Sequence, residues 1–562
     1  MKLPNKLTLN NGSKLSYLAL ILTLFISSLV AATVPFGNDT AAHLHLVEFL
    51  RSTKSLTAYD PWWYFGKVEF VGYSLAYYPL AALTNVYIPP IIALSSTAAL
   101  ITKAVTKRAL SAVDGGSTKI VETKLIGFVV ICSVNLAGLM LTGAYPFLTS
   151  LPFFVLASLT LISKKNNWIA YSSLIVIGAL FSIIATLWVG TLLVTIGTLE
   201  KGKTLRDRIL YIAYGLSPLA LVAIFEILST RNLFPKGSYP FYFTDLLELS
   251  VFLILIAITS LRISWPSPAL AAALYLAGSI VNFVLVRSSL GGNIARIGEF
   301  APLITASIAI IYQTSKGPSQ VAKAKSPALL EENFRLSRFR SRQIGSLLVV
   351  MAIGSALWYG QFTIDPLVDP SAHYLEDAGN WAQLASVVHK DYGDQRIEYV
   401  DTTLHEGAYF LPKYGVAIAR GWFRQSDQPD NSLFYTSNTT FKKSYKSWLC
   451  DYEIAAVVLP PGPYDYSSVD EASLVKGGLS FLKIQDVVGK FRIYTVEGCK
   501  DSIKVEVHAS NIQIVSRYSK VDGIIPIHFA KQLQPLNGLS LREVGGLASI
   551  SGSNSDRVTI HF

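Results

Sequence analysis

The chain has 562 residues, of which 51% are hydrophobic and only 15% charged, with a formal net charge of +11. So apolar a chain is not an ordinary soluble enzyme, and its composition points to repeated crossing of a lipid bilayer. The positive balance does not point to nucleic acid: the Lys and Arg residues lie mainly in short loops between apolar runs, where they set topology, and no basic patch is interleaved with stacking aromatics. Three cysteines exclude a disulfide scaffold and a multi-cysteine zinc site. Cys132 falls in an apolar run, whereas Cys450 and Cys499 both fall in the C-terminal polar part, either as a pair or as two separate thiols.

Residues 1–14 carry Lys2, Lys6 and Lys14 ahead of an apolar run at 15–34, about the 20 residues that a bilayer core requires. This predicts a retained first helix with a cytoplasmic N-terminus. The segment 35–72 is then extracytoplasmic. Within it 38–56 reads as a helix with Asn38 or Asp39 as its cap, and Asp39, His43, Leu46 and Leu50 share one stripe that packs onto the bilayer surface or onto other helices. His45 and Glu48 face the opposite side, Glu48 one turn from Arg51. A second span at 73–102 is expected to kink or break at Pro89-Pro90. A basic cytoplasmic loop follows at 103–124, then a third span at 125–141, an outer turn at 142–150 and a fourth span at 151–163.

The stretch 168–199 has no charge and basic residues at both ends, and reads as two short passes turning near Trp188-Val189-Gly190. A seventh span at 209–229, with Glu226 near its outer end, leads to an aromatic-rich outer loop at 230–247. Spans at 248–261 and 269–286 precede an outer segment at 287–298. A tenth span at 299–312, the strongly basic loop 313–343 and an eleventh span at 344–362 complete the membrane part, residues 1–364. The C-terminal portion is then extracytoplasmic. Residues 365–499 read as an α/β domain, with a helix at 371–390 and strands at 396–401, 453–460 and 491–496. From 500 to 562 short alternating runs (IKVEVHA, NIQIVSRY, IIPIHFA, DRVTIHF) read as a small β-sandwich. The fold class is thus a polytopic α-helical membrane protein of about 11 spans with an outer α/β plus β-sandwich region.

No Walker loop, dinucleotide fingerprint, HExxH or CxxC is present. What remains is a set of polar residues that topology gathers on the outer surface. Asp39 and His43, one helical turn apart, suit a general base with its orienting partner or two ligands of a divalent cation, the metal being an open question; a helix cap and a surface-packed histidine are the plain alternative. Asp60-Pro61-Trp62-Trp63 offers a second carboxylate beside two indoles, or a turn with an interfacial aromatic belt. Arg287, Arg296 and Glu299 form a second group, in which the guanidinium forks suit the phosphate of a lipid carrier; contact with a lipid headgroup or a salt bridge to Glu299 is the plain alternative. His405, Glu406 and Arg424 in the outer domain reach over to an acceptor site or belong to that domain's core. Outer sequons at Asn38-Asp39-Thr40 and Asn438-Thr439-Thr440 allow N-glycosylation, and Asn11-Gly12-Ser13, being cytoplasmic, does not.

A G-x-D-x-x-x-H-L element directly after the first span, a loop containing Trp and Pro, Tyr78-Pro79-Leu80 and a distal Gly-Trp-Phe-Arg-Gln element at 421–425 together resemble one group of proteins. These are archaeal polytopic proteins labelled "6-pyruvoyl-tetrahydropterin synthase-related membrane domain". Nothing in this chain supplies the three-histidine zinc site of pterin chemistry. In layout the group is similar to the glycosyltransferase-C superfamily, although no adjacent Asp-Asp or Glu-x-Asp pair is present. The resemblance implies transfer of a sugar from a polyprenyl-phosphate-type donor to an envelope glycan or glycoprotein acceptor at the plasma membrane, with an acid of the first outer loop acting at the acceptor. Asp39 matches that position and Asp60 is a weaker second. Arg287 and Arg296 are then expected to bind the donor phosphate, and Trp62, Trp63, Tyr77 and Tyr78 to form a platform for the sugar. Two other classes compete: a non-enzymatic envelope protein that binds glycan or surface-layer components, and a transporter or lipid flippase, which calls for ionisable groups near the bilayer midplane and inverted repeats.

Overall fold

The computed structural model describes residues 6–562 apart from 35, 38, 69–73, 112–117, 163–166, 200–203, 231–240, 242, 263–265, 287–290, 301–302, 304–369, 423–426, 428–430, 436–437, 500–502, 517–520, 537–538 and 554. The first helix, α1 (Lys6–Thr33), shows how the helical part is built. Leu18, Ile21, Phe25 and Leu29 recur at helical spacing and are exposed, while Ala19, Thr23 and Ser27 on the other side are fully buried. Exposed apolar stripes recur on α5 (Thr118–Gly138) at Ile126, Val130 and Val134, and on α10 (Phe243–Arg262) at Val251, Ile254 and Ile258. Large apolar side chains outside and small or polar ones between helices invert the pattern of a water-soluble bundle and suit lipid contact. Among the described residues six helices are long and apolar enough to cross a membrane, and three more, Tyr145–Thr160, Trp168–Phe181 and Ile184–Leu199, are apolar but shorter.

Several boundaries differ from the sequence reading, each for a local reason. Of the two outcomes expected at Pro89-Pro90, the span is broken and not kinked, and the break falls just ahead of the prolines. The chain first makes a short α3 (Tyr77–Leu83), and α4 (Ile88–Ser111) begins at the prolines, where the first-turn N–H groups have no intrahelical acceptor to lose. The outer turn is shorter than expected, because α6 (Tyr145–Ile162) starts at Tyr145. The stretch 168–199 is two helices, α7 (Trp168–Phe181) and α8 (Ile184–Leu199), but they part at Ser182, whose backbone is extended, and Trp188-Val189-Gly190 lies within α8. After α9 (Leu205–Thr230), α10 and α11 (Pro266–Val281), residues Gly291–Phe300 form a 3-10 helix, so Glu299 closes that helix instead of opening a span. The eleventh span, the basic loop before it and the rest of the tenth fall outside the described residues.

The C-terminal region is a β-sheet region with flanking helices. A four-stranded mixed sheet has the order β3-β4-β6-β5, built from Ile397–Tyr399, Ala456–Leu459, Phe491–Val496 and Leu482–Val488. Only β3 and β4 run parallel. The strands β7 (Ile503–Val507), β8 (Asn511–Ser516), β9 (Gly523–His528), β10 (Gln534–Pro535), β11 (Ser540–Val544), β12 (Leu547–Ser551) and β13 (Arg557–His561) make two antiparallel sheets, ordered β10-β13-β8-β7 and β11-β12-β9. Val505, Ile512, Ile514, Ile525, Ile550 and Ile560 from both meet in one core, as the alternating runs implied. The sequence reading missed the β11–β12 hairpin (Ser540–Val544 and Leu547–Ser551), whose turn is Gly545-Gly546. The first outer segment contributes a two-residue ribbon, β1 (Tyr59–Asp60) with β2 (Lys67–Val68).

Cys450 and Cys499 form a disulfide with a Cα separation of 5.3 Å that closes a stretch of 49 residues between a helix end and the end of the mixed sheet. Such a closure restricts the unfolded chain by about 4 kcal/mol in the chain-entropy picture. Replacing both cysteines by serine is expected to lower the thermal midpoint of the C-terminal region by several degrees, and intact-mass analysis of the non-reduced protein should show the two thiols linked.

Candidate functional site

The site begins where two loops meet at one end of the helices, on the side of the C-terminal region. After α1 the chain re-enters a helix, α2 (Thr40–Thr53), and beside its first turn the link between α5 and α6 bends at Gly143, with φ +69°. A Cβ on Gly143 would stand 2.6 Å from the Asp39 backbone nitrogen. Only glycine permits both that backbone conformation and that approach. Thr40 fixes the contact: its Oγ1 accepts from the Gly37 N–H at 2.9 Å and shares a 2.9 Å hydrogen bond with the Tyr145 hydroxyl. Thr40 is fully buried, so the hydroxyl that the Asn38 sequon needs is already committed.

With those bonds in place, Asp39 occupies the cap position of α2 without using its side chain as a cap. Its Oδ2 instead accepts from Arg296 Nη2 at 2.7 Å, across 257 residues of sequence. The side chains are 9% and 15% exposed, so little solvent screens the pair. Arg296 lies on the 3-10 helix, in which residues three apart eclipse. Asn293 accordingly accepts from Arg296 Nε at 2.7 Å, and the Tyr275 hydroxyl of α11 donates to the Ile294 carbonyl at 2.9 Å. The guanidinium is therefore aimed by its own segment, and that segment is pinned to α11.

His43 sits on the same stripe of α2 but does not hold Asp39. Its Nδ1 meets the Tyr78 hydroxyl at 3.0 Å, and the rings of Tyr77, Tyr78 and Tyr145 surround it at 5.5 to 5.7 Å. Burial lowers its pKa to about 4; the Asp39 charge opposes that shift and Arg296 adds to it. The imidazole is neutral at pH 7. Arg296, not His43, is the partner of Asp39.

The opposite side of α2 anchors the C-terminal region. His45 Nε2 and Asp60 Oδ2 are 2.6 Å apart, and the His45 ring stacks on Trp63 at 4.1 Å. Asp60 is fully buried and its Oδ1 accepts from the Trp62 N–H, which makes it a structural carboxylate and not a second base. Trp63 Nε1 donates to the Ala408 carbonyl and the Ile418 N–H to the Trp62 carbonyl, both at 2.9 Å. Gly421 lies so close that a Cβ there would be 2.6 Å from the Tyr64 ring. The Asp-Pro-Trp-Trp and Gly-Trp elements, far apart in sequence, thus pack on one another. The rings of Trp63, Tyr77 and Tyr78 are fully buried and Trp62 is half-buried, so three of the four expected platform rings have no free face. Glu48 accepts from the Tyr409 hydroxyl at 2.7 Å, while Arg51 donates to the Ala81, Ala82 and Thr84 carbonyls at the end of α3 instead of pairing with Glu48.

His405 and Glu406 belong to the core of the C-terminal region. His405 Nδ1 meets Asp401 Oδ2 at 2.7 Å, and its ring packs edge-on against Trp422. Glu406 opens the helix Glu406–Lys413 that carries Tyr409, is fully buried and accepts from Thr402 Oγ1 at 2.6 Å; burial pushes its carboxyl up to about 7. Arg287 and Arg424 lie outside the described residues, as does the side chain of Glu299. Among the described residues no group of three or more His, Cys, Asp or Glu could hold a metal ion.

Thr40, Gly143, Tyr145 and Asn293 complete the site; the sequence marked Thr40 only as part of a sequon and gave the other three no role. Only Asn293 had a readable signal, its three-residue spacing from Arg296. Substituting Gly143 by Ala is expected to destabilise the protein by at least about 2 kcal/mol, because Cβ meets backbone that cannot swing away. Gly127→Ala on α5, where a Cβ meets nothing within 4 Å, is the control expected to leave thermal unfolding unchanged or slightly raised.

Comparison of the chain with protein-family models and with curated proteins gives no match.

Proposed function

We propose that the chain is a membrane glycosyltransferase, similar in layout to the glycosyltransferase-C superfamily, which moves a sugar from a polyprenyl-phosphate-type donor to an extracytoplasmic glycan or glycoprotein acceptor. The observation that carries this reading is the contact of Asp39 with Arg296 at 2.7 Å. A carboxylate able to take a proton and a guanidinium able to bind a phosphate stand together at the outer ends of apolar helices, and they come from the two sequence regions assigned those roles. The disulfide supports an oxidising, extracytoplasmic location for the C-terminal region.

In the reaction the acceptor hydroxyl loses its proton to Asp39 as its oxygen attacks the anomeric carbon. The bond from that carbon to the phosphate oxygen breaks on the opposite face, and the phosphate departs with the electron pair, its charge met by Arg296. Configuration at the anomeric carbon inverts. Protein-bound phosphate is a competent leaving group, so a base and a positioned cation supply most of what the step needs. His43, neutral and tied to Tyr78, supports the floor of the site and takes no proton.

The test is transfer of radiolabelled sugar from membrane lipid donors to envelope acceptors by cells expressing Asp39→Asn. A fall of about 100-fold or more at normal protein levels is expected for loss of a general base. Unchanged incorporation would contradict the assignment.

A further inference from the structure

In an inverting displacement the base and the phosphate-binding cation act on opposite faces of the sugar. With a hydrogen bond at each end and the reacting atoms between them, the two groups must stand on the order of 8 Å apart when substrates are bound. Asp39 and Arg296 are in direct contact at 2.7 Å. The arrangement seen here therefore cannot be the reacting one. Something has to part the pair, and the entering anion is the group with the charge to do it.

We infer that the Asp39–Arg296 ion pair is a latch, opened when the phosphate of a polyprenyl-phosphate donor takes the place of the Asp39 carboxylate on Arg296. This rests on the donor reading above. Three features make the exchange feasible. Arg296 keeps its own support when Asp39 leaves, because Asn293 holds Nε and Tyr275 holds the segment. Asp39 has somewhere to go, because it sits at the cap position of α2 while making no cap hydrogen bond, so the freed carboxylate can turn to the first-turn N–H groups and remain stabilised by the helix N-terminus. The guanidinium is the more exposed of the two side chains, which leaves it the accessible end of the pair. While the pair is closed each charge masks the other, and the base becomes available only with donor in place.

The experiment measures binding of farnesyl phosphate to the full-length protein in nanodiscs of neutral lipid, with inorganic phosphate alone and nanodiscs containing phosphatidylglycerol as separate arms. The latch predicts that Asp39→Asn binds farnesyl phosphate about 10-fold tighter than the unmodified protein, since an internal competitor is gone, and that Arg296→Gln binds it at least about 10-fold more weakly. Inorganic phosphate or phosphatidylglycerol binding with the same pattern and equal strength would overturn the prenyl-phosphate assignment. Equal affinity of Asp39→Asn and the unmodified protein would overturn the latch and leave the donor reading intact, whereas no binding of farnesyl phosphate to the unmodified protein would overturn both.

Discussion

The ion pair between Asp39 and Arg296 links the loop after α1 to the 3-10 helix after α11, and little water reaches it. Opposite charges so placed attract strongly, and removing either leaves the other desolvated without its partner. The position of each is over-determined from its own side. Gly143 lets the α5–α6 link press against the start of α2, Thr40 locks that contact to Tyr145, and Asn293 and Tyr275 fix the guanidinium. The pair is therefore a junction between separately braced elements.

Helix α2 divides the labour between two faces. One face carries Asp39 and His43 toward the apolar helices, with three tyrosine rings around the imidazole. The other carries His45 and Glu48 toward the first outer loop and the C-terminal region, through Asp60, Trp63 and Tyr409. The C-terminal region is thus mounted on the back of the helix whose front bears the candidate base. Tyr64, Phe65 and Gly66 all take left-handed backbone conformations, a costly run that packing sustains: both rings are fully buried, and Phe65 stacks on Tyr452 at 4.0 Å.

Much of this was legible in the sequence because two rules act locally. Apolar length and basic loops located the helices, and the period-two runs located β7, β8, β9 and β13. Asp39 and Arg296 were readable as outer polar residues that lacked an obvious local role. Their contact was not readable, since it joins residues 257 apart and depends on how the helices pack. The same limit explains Asp60 and Trp63. A carboxylate beside indoles in an outer loop looks like a site until His45, fifteen residues away in sequence, closes over it. The platform reading of Tyr77 and Tyr78 failed for a related reason: burial is a property of neighbours, and theirs include His43 and the Val86 carbonyl.

The pairing of Asp39 with Arg296 is tested most directly by a double-mutant cycle on stability, comparing the unmodified protein, Asp39→Asn, Arg296→Gln and the double variant in the same detergent. If the two side chains meet as described, the double variant is less destabilised than the sum of the single ones by about 1 to 3 kcal/mol. Effects that add to within about 0.5 kcal/mol would contradict the contact.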